Sequence, residues 1–194
     1  MTNNIAMRRA SAWTSMIVAV AVASTATAAP DDAKTWNGKT APLATPWTAE
    51  VSPTNALPDY PRPQLARPSL EHPQWMNLNG LWQYARDDGQ GAPPFGHTLK
   101  DQVLVPYPIE SVLSGVQKHA DSMFDRRLVN IPAAFIAHGQ HVRLNFGAVN
   151  YDATVYVNGT QVTQHTGGYT SFSADITSAL RQHGPQEIVV AVHA

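Results

Sequence analysis

The sequence predicts an all-β fold, an antiparallel β-sandwich of jelly-roll type, and three observations support that prediction. Around the Asn-Gly pair at 158–159, β-favouring residues flank a two-residue turn that needs positive φ, as in a hairpin. Elsewhere, short β-favouring runs are separated by Gly and Pro turn signals at the spacing of a sandwich or barrel. Charged residues make up only 14% of the chain, well below the ~25% of typical globular domains.

The predicted strands are placed by their period of two and by the turn residues that bound them. They are, in chain order, 81–85, 102–105, 124–131, one segment within 139–147, the two arms of the hairpin in 154–162, and 187–192. The helical candidate is a single turn at 176–181, with Asp175 as its N-cap. Arg126 and Arg127 are adjacent in a strand and point to opposite faces, so we expect one to be paired inside or at an interdomain surface and the other to be solvated.

The first 28 residues have the design of a secretory signal peptide. A positive Arg-Arg pair at 8–9 precedes an apolar stretch at 12–23, and the small residues at 26–28 fit the cleavage rule. We therefore expect a secreted or periplasmic protein with no membrane contact once the signal peptide (1–28) is cleaved. The alternative is an N-terminal membrane anchor, although the apolar stretch is short for a bilayer core of ~30 Å.

Residues 29–59 are rich in proline and lack periodic apolar positions. Proline removes a backbone donor and fixes φ, so neither a helix nor a central strand is expected there. We interpret this segment as an extended linker or arm and assign the β-sandwich domain to residues 60–194. The first part of that domain, 60–75, is expected to lie against its surface.

Several kinds of chemistry find no support in the sequence. The chain has no cysteine, which excludes thiolate metal ligands and a cysteine nucleophile. His138 and His141 have a metal-like spacing but no third ligand nearby, so we interpret them as solvated loop histidines and expect neither a metal nor a cofactor. Since phosphate-binding glycine motifs and long basic runs are missing from the sequence, nucleotide chemistry and nucleic-acid partners are not expected.

Catalytic carboxylates are not expected either. Hydrolysis of a glycoside needs two carboxyl groups on either side of the bond that breaks. Glu110 and Glu187 are candidates by residue type only, because nothing in the sequence brings them together. We therefore predict no catalytic residue in this chain.

Three consecutive motifs carry a family resemblance. Residues 146–149 read Phe-Gly-Ala-Val, 155–159 read Val-Tyr-Val-Asn-Gly, and 167–177 read Gly-Gly-Tyr-Thr-Ser-Phe-Ser-Ala-Asp-Ile-Thr. In this order and spacing they resemble the N-terminal sugar-binding domain of family 2 glycoside hydrolases, the group of β-glucuronidases and β-galactosidases. Further segments that fit are 75–82, 105–115 and 126–132, so the resemblance covers residues 60–194. One departure is Phe-Asp at 124–125, where the family usually has Trp-Tyr.

The resemblance implies a domain that works inside a longer enzyme. In such enzymes an immunoglobulin-like domain and a (β/α)₈ barrel follow, and the barrel carries both catalytic glutamates of a retaining mechanism. Because a barrel needs ~200–250 residues and the sequence stops at its last expected strand, we expect a fragment or truncated form that is not catalytic alone. The expected partners are a carbohydrate and the missing C-terminal domains.

The resemblance also implies three substrate-binding residues. Asp175 matches the family's aspartate that reaches into the barrel pocket and contacts substrate hydroxyls, for which charge-assisted hydrogen bonds suit a carboxylate. A second role, which is compatible with the first, is that of the N-cap of the short turn at 176–181. Gly168 would allow a tight backbone path beside the barrel. Tyr169 and Phe172 would each either stack on a sugar face or serve the core or an interface.

Two alternative functions stay open. A free-standing carbohydrate-binding module or lectin predicts a row of exposed aromatic side chains, for which the candidates are Trp75, Trp82, Tyr84 and Tyr107. A purely structural fragment predicts exposed apolar surface where partner domains belong, and therefore poor solubility. Glucuronide, galactoside and arabinoside enzymes share these motifs, so the motifs predict the domain and not the sugar.

Overall fold

The computed structural model describes residues 36–38, 42–58, 74–87 and 91–194, which form two antiparallel β-sheets joined by turns and short 3-10 helices. The strands are β1 (Gly80–Arg86), β2 (Asp101–Val105), β3 (Ser122–Val129), β4 (Arg143–Phe146), β5 (Asp152–Val157), β6 (Thr160–Thr166), β7 (Phe172–Asp175) and β8 (Gln186–His193). The large sheet has the order β2-β1-β3-β8-β5-β6, and the small sheet pairs β4 with β7. Within the described ranges, no helix is long and apolar enough to cross a membrane.

The prediction of an antiparallel β-sandwich is confirmed, and every predicted strand is found close to its expected position. Strand β7 was not predicted, because its four residues lie inside a motif that begins with two glycines and has no clear period of two. The predicted signal peptide (1–28) and the proposed domain boundary at 59/60 lie outside the described residues and stay predictions.

One hydrophobic core lies between the two sheets. On β5, Ala153, Val155 and Val157 are fully buried and alternate with partly exposed residues. Val155 and Val157 belong to the same core as Leu144 of β4, Ala174 of β7 and the inward side chains of β8. Full burial of a Val or Leu side chain contributes about 1.5–3 kcal/mol, so this shared core holds the small sheet against the large one.

The Asn158-Gly159 hairpin forms as predicted and is also tied to β8. Both turn residues have positive φ, 52° for Asn158 and 85° for Gly159. The Asn158 amide oxygen accepts a hydrogen bond from the Glu187 N–H at 2.9 Å. Its amide nitrogen donates to the Ala179 carbonyl at 2.8 Å and to Gln186 Oε1 at 2.7 Å. The side chain of Asn158 therefore anchors the turn as well as permitting it.

A buried ion pair lies on the outer face of the large sheet. Arg126 on β3 and Glu187 on β8 are both almost completely buried, and Arg126 Nε lies 2.6 Å from Glu187 Oε1. Arg126 Nη1 donates to Gln83 Oε1 on β1 at 2.8 Å. The loop at 91–100 covers the pair, because the Gly96 N–H donates to Glu187 and the Leu99 N–H donates to Gln83.

The second arginine differs from what the sequence predicted. The expectation that one of the two is paired inside is confirmed by Arg126, but the expectation that the other is solvated is wrong. Arg127 Nη1 donates to the carbonyls of Leu78 and Asn79, at 2.6 and 3.1 Å, and its guanidinium lies 5.9 Å from the centroid of the Trp82 ring. It therefore fixes the chain that leads into β1, since carbonyl oxygens and an aromatic face both favour a cation.

The proline-rich segment is also more ordered than predicted where it is described. Pro46–Glu50 forms a 3-10 helix that begins with proline, a position where the missing N–H has no cost. Ala56 is buried and packs with Leu81 of β1 and Leu104 of β2. Proline restricts regular structure without preventing a segment from packing on the outer face of a sheet, so residues 42–58 have the character of an arm rather than of a free linker. The bounds 29–59 stay a prediction.

Asp125 is a buried carboxyl group on the core side of β3. It lies in register with Tyr84 of β1 and Val190 of β8, both of which belong to the core. Its Oδ1 is inaccessible and has no hydrogen-bond partner among the described residues. Burial raises the pKa of Asp125 from 3.8 to about 7. Asp125 belongs to the Phe-Asp pair at 124–125, where the family usually has Trp-Tyr.

We predict that the charge balance of the Arg126–Glu187 pair contributes strongly to stability. Glu187→Gln should lower the free energy of unfolding by about 3–5 kcal/mol, because it leaves the Arg126 charge buried without a counter-charge. The double variant Arg126→Met, Glu187→Leu should lose less than that. Urea unfolding measures both, with Glu110→Gln as the control, since Glu110 forms an exposed pair with His119 whose contribution to stability should be small. Equal losses for Glu187→Gln and Glu110→Gln would contradict the prediction.

We predict that Asp125 makes stability fall as the pH rises. Because the folded-state pKa is raised from 3.8 to about 7, the folded chain binds this proton more tightly than the unfolded chain. The resulting stabilisation is fully present below about pH 4 and is lost as the pH rises through about 7. Asp125→Asn should therefore raise the free energy of unfolding at pH 8 by about 1–3 kcal/mol, with a smaller gain at pH 5. Urea unfolding at both pH values is the measurement. An equal gain at pH 5 and pH 8 would refute the prediction, as would the same pH-dependent gain in Asp101→Asn, a substitution of an exposed aspartate.

Candidate functional site

Asp175 lies at the C-terminal end of β7, on the outer face of the small sheet. Its neighbour Ala174 is buried in the core, so alternation along the strand turns Asp175 outward. The side chain is 49% exposed. On the adjacent strand, Arg143 lies directly opposite in register, and its Nη2 donates to Ser173 Oγ at 2.8 Å. The outer face of the small sheet is therefore polar and carries both charges.

The carboxylate of Asp175 is held from two sides. Its Oδ1 accepts hydrogen bonds from the Thr177 N–H at 3.0 Å and from Thr177 Oγ1 at 2.6 Å. Its Oδ2 lies 2.5 Å from His141 Nδ1. The prediction of Asp175 as the N-cap is wrong, because the turn is Thr177–Ala179 and Ile176 occupies its N-cap position. Asp175 lies one residue earlier and still accepts the N–H of Thr177, the first residue of the turn.

These contacts determine the charge of Asp175. The hydroxyl and the backbone N–H of Thr177, followed by the hydrogen bond from His141, lower the pKa of Asp175 from 3.8 to about 2. The carboxylate is therefore ionised at every physiological pH and accepts hydrogen bonds only. A carboxylate has about four lone-pair directions, and three donors are in place, so the exposed group can accept a further hydrogen bond from a ligand hydroxyl.

Gly168 and Tyr169 lie in the loop between β6 and β7. A Cβ built on Gly168 would lie 2.5 Å from Asn150 Oδ1, so this glycine permits a close approach of two loops. Within the described residues Asn150 is what Gly168 approaches, and the expected tight path beside a barrel stays a prediction. The side chain of Tyr169 is 99% exposed, so it is not part of this domain's core.

A stack of three rings lies next to the loop between β6 and β7. Phe172 stacks on Phe146 with 4.7 Å between ring centroids and on His165 with 4.4 Å between centroids. His165 Nε2 is also 2.9 Å from Thr170 Oγ1. Phe172 therefore has the packing role that was the more conservative of its two predicted roles.

The three sequence-predicted site residues do not form one cluster. Gly168 and Tyr169 precede the N-terminal end of β7, whereas Asp175 is at its C-terminal end. At about 3.3 Å per residue, the strand separates them by roughly 10 Å. The local group around Asp175 consists instead of His141, Arg143 and Thr177. Thr177 could have been found from the Asp-x-Thr pattern, which is a local capping signal, but His141 is 34 residues away in sequence.

The remaining candidates from the sequence have structural partners. His141 pairs with Asp175 rather than with His138, and the described residues contain no cluster of three side chains suited to a metal ion. Glu110 is exposed and bonded to His119, which lowers the pKa of Glu110. Glu187 is bonded to Arg126, so the two glutamates have separate environments.

The aromatic row expected of a lectin is not found at the predicted positions. Trp82 and Tyr84 are buried in the core, and Trp75 and Tyr107 are partly buried. Four side chains in these settings do not offer a sugar an open row of rings.

Comparison with protein families matches residues 95–194 to the glycosyl hydrolases family 2 sugar binding domain. The chain belongs to this family. The match begins in the loop that covers the buried ion pair and extends to the end of the chain, so it includes Gly168, Tyr169 and Asp175. The resemblance found in the sequence is thereby confirmed.

The relatives of this domain are much longer proteins. The β-glucuronidase of Paenibacillus borealis is 28% identical over 109 residues, which cover 52% of this chain and 18% of the relative. The dog β-glucuronidase is 49% identical over 146 residues, covering 65% of this chain and 20% of the relative. A mannosylglycoprotein endo-β-mannosidase of Lilium longiflorum is 41% identical over 58 residues, covering 30% and 6%. The chain thus spans a fifth or less of the length of these relatives.

Solved structures give the same result for the fold. The β-glucuronidase of Lactobacillus rhamnosus superposes with a TM-score of 0.53 at 28% identity, covering 61% of this chain and 21% of that chain. The Bifidobacterium dentium β-glucuronidase, solved in complex with coumarin-3-O-glucuronide, gives a TM-score of 0.51 at 28% identity, covering 60% and 19%. In both solved enzymes, the part that matches this domain is about a fifth of the chain.

We predict that Tyr169 and Phe172 differ sharply in their contribution to folding. Tyr169→Ala should change the free energy of unfolding by less than about 0.5 kcal/mol, because the side chain is exposed. Phe172→Ala should lower it by about 2–4 kcal/mol through loss of the ring stack. Thermal and urea unfolding of both variants provide the measurement. A large loss for Tyr169→Ala would show that this ring has a structural role after all.

Proposed function

We propose that this domain binds sugar without catalysing a reaction, and that it supplies Asp175 to the glycoside site of a family 2 hydrolase acting on β-glucuronides. The main observation behind the proposal is the geometry of Asp175, an ionised, half-exposed carboxylate held in place by neighbours at its inner edge. It lies in a motif that the family resemblance associates with substrate hydroxyls. A fixed acceptor of this kind suits hydroxyl groups, which are donors to an anion.

The substrate class in the proposal comes from the relatives. Both the bacterial relative at 28% identity and the dog relative at 49% identity are β-glucuronidases. A structure at 28% identity holds a glucuronide. The lily endo-β-mannosidase matches over a shorter stretch of 58 residues. A β-glucuronide is therefore the first ligand to test.

Catalysis is assigned in this proposal to the other domains of such enzymes. A retaining mechanism needs a protonated acid and a nucleophile about 5–5.5 Å apart. Asp175 stays ionised, and Glu187 is enclosed with Arg126 under the loop at 91–100. Glu110 is bonded to an exposed histidine on the surface. These partners favour structural and binding roles for the carboxylates rather than proton transfer to a leaving group.

The proposal predicts that Asp175 determines sugar binding by the chain. Methyl β-D-glucuronide titrated into the full chain should shift the NMR signals of Asp175 and its neighbours, with weak affinity. Asp175→Asn should weaken binding by about 10-fold or more, since hydrogen bonds to a charged group are stronger than those between neutral groups. Asp101→Asn, at the exposed start of β2, is the matched control.

Methyl β-D-glucoside and methyl β-D-galactoside in the same titration identify the sugar class. Preference for the glucuronide supports the proposed substrate, whereas equal binding of all three would support a sugar site without uronide selectivity. Unchanged binding by a folded Asp175→Asn variant would contradict the proposed role of this residue.

A further inference from the structure

The contact between His141 and Asp175 joins two elements that are distant in sequence. Oδ1 of Asp175 is bonded within its own turn, to Thr177, but Oδ2 is bonded across the small sheet to a residue just before β4. Arg143, the charged group directly opposite Asp175 in register, donates to Ser173. His141 is thus the second group that fixes the carboxylate plane, since among the described residues Thr177 alone would leave Oδ2 without a donor.

The protonation of the two groups follows from their chemistry. An ionised carboxylate only accepts hydrogen bonds, so Nδ1 of His141 must carry the hydrogen in this contact. Nε2 is then on the opposite edge of the ring, in a side chain that is 73% exposed. This atom is an acceptor when the imidazole is neutral and a donor when it is protonated, and a sugar hydroxyl can satisfy either state.

We propose that His141 is a positioning residue for Asp175 and a second sugar contact, so that the pair binds two neighbouring hydroxyls of one sugar. The inference rests on the proposed function and extends it to the recognition of a diol. Nδ1 orients the carboxylate before the sugar arrives, which reduces the freedom lost on binding. One hydroxyl then donates to Asp175, and its neighbour bonds to Nε2 of His141.

Two substitutions separate the two roles of His141. His141→Asn retains an amide N–H near the position of Nδ1 but removes Nε2, whereas His141→Ala removes both groups. His138→Asn is the matched control. His138 is an exposed histidine with φ of 58°, a conformation that asparagine tolerates. Amide NMR spectra of all variants report whether each chain is folded, which is expected because both histidines are exposed.

The first measurement tests positioning without any sugar. The pKa of the Asp175 carboxyl, followed by carbon NMR in the full chain, should be about 2 in the wild type. It should rise toward 3.8 in His141→Ala and stay close to the wild-type value in His141→Asn and His138→Asn. An unchanged pKa in a folded His141→Ala variant overturns the positioning role, whether or not the chain binds a sugar.

The second measurement tests the sugar contact with methyl β-D-glucuronide. We expect Asp175→Asn to weaken binding most, followed by His141→Ala, then His141→Asn by about 5-fold for the loss of one hydrogen bond, with no change for His138→Asn. Binding that is lost in Asp175→Asn but unchanged in His141→Asn overturns the second contact and leaves the proposed function intact. Binding by the wild type that is unaffected by Asp175→Asn overturns the proposed function itself. If the wild type does not bind, the diol contact is rejected for this chain.

Discussion

The buried ion pair between Arg126 and Glu187 is the interaction on which the large sheet depends most. A slip of one residue between β3 and β8 would carry a charge onto the core face, so the pair fixes the register of the two central strands. The pair in turn needs the loop at 91–100, because a buried charge must have its hydrogen bonds satisfied. Strand register and the folding of a long loop are therefore mutually dependent in this domain.

The small sheet gains its stability from the large one. Two strands alone are marginal in water, and β4 and β7 are held chiefly by Leu144 and Ala174, which face the core of β5 and β8. Because all the apolar side chains needed for this packing point inward, the outer face is left to polar residues. Asp175, His141 and Arg143 lie there, so the rigid part of the molecule supports the part that we propose to bind sugar.

The features that could be predicted from the sequence are those that depend on residues close together in the chain. The period of two and the Asn-Gly turn were enough for the strands, and the motif ending in Asp-Ile-Thr was enough to single out Asp175. The contact from His141 was beyond prediction because β7 was not recognised as a strand, and the contact exists only through its pairing with β4. The burial of Ala56 was missed for a different reason, since proline content says which regular structures are excluded but not what a segment packs against.

Asp125 and Asp175 carry carboxyl groups whose pKa values are shifted in opposite directions. A general acid in glycoside hydrolysis must be protonated near neutral pH and must reach the leaving oxygen. Asp125, with a pKa of about 7, meets the first condition, but it is on the core side of β3. Asp175 is half-exposed, but its pKa of about 2 keeps it ionised. In this pair, exposure to solvent and a raised pKa therefore belong to different residues. The half-exposed carboxylate of Asp175 is an anion at neutral pH, and such a group is suited to accept hydrogen bonds from hydroxyl groups.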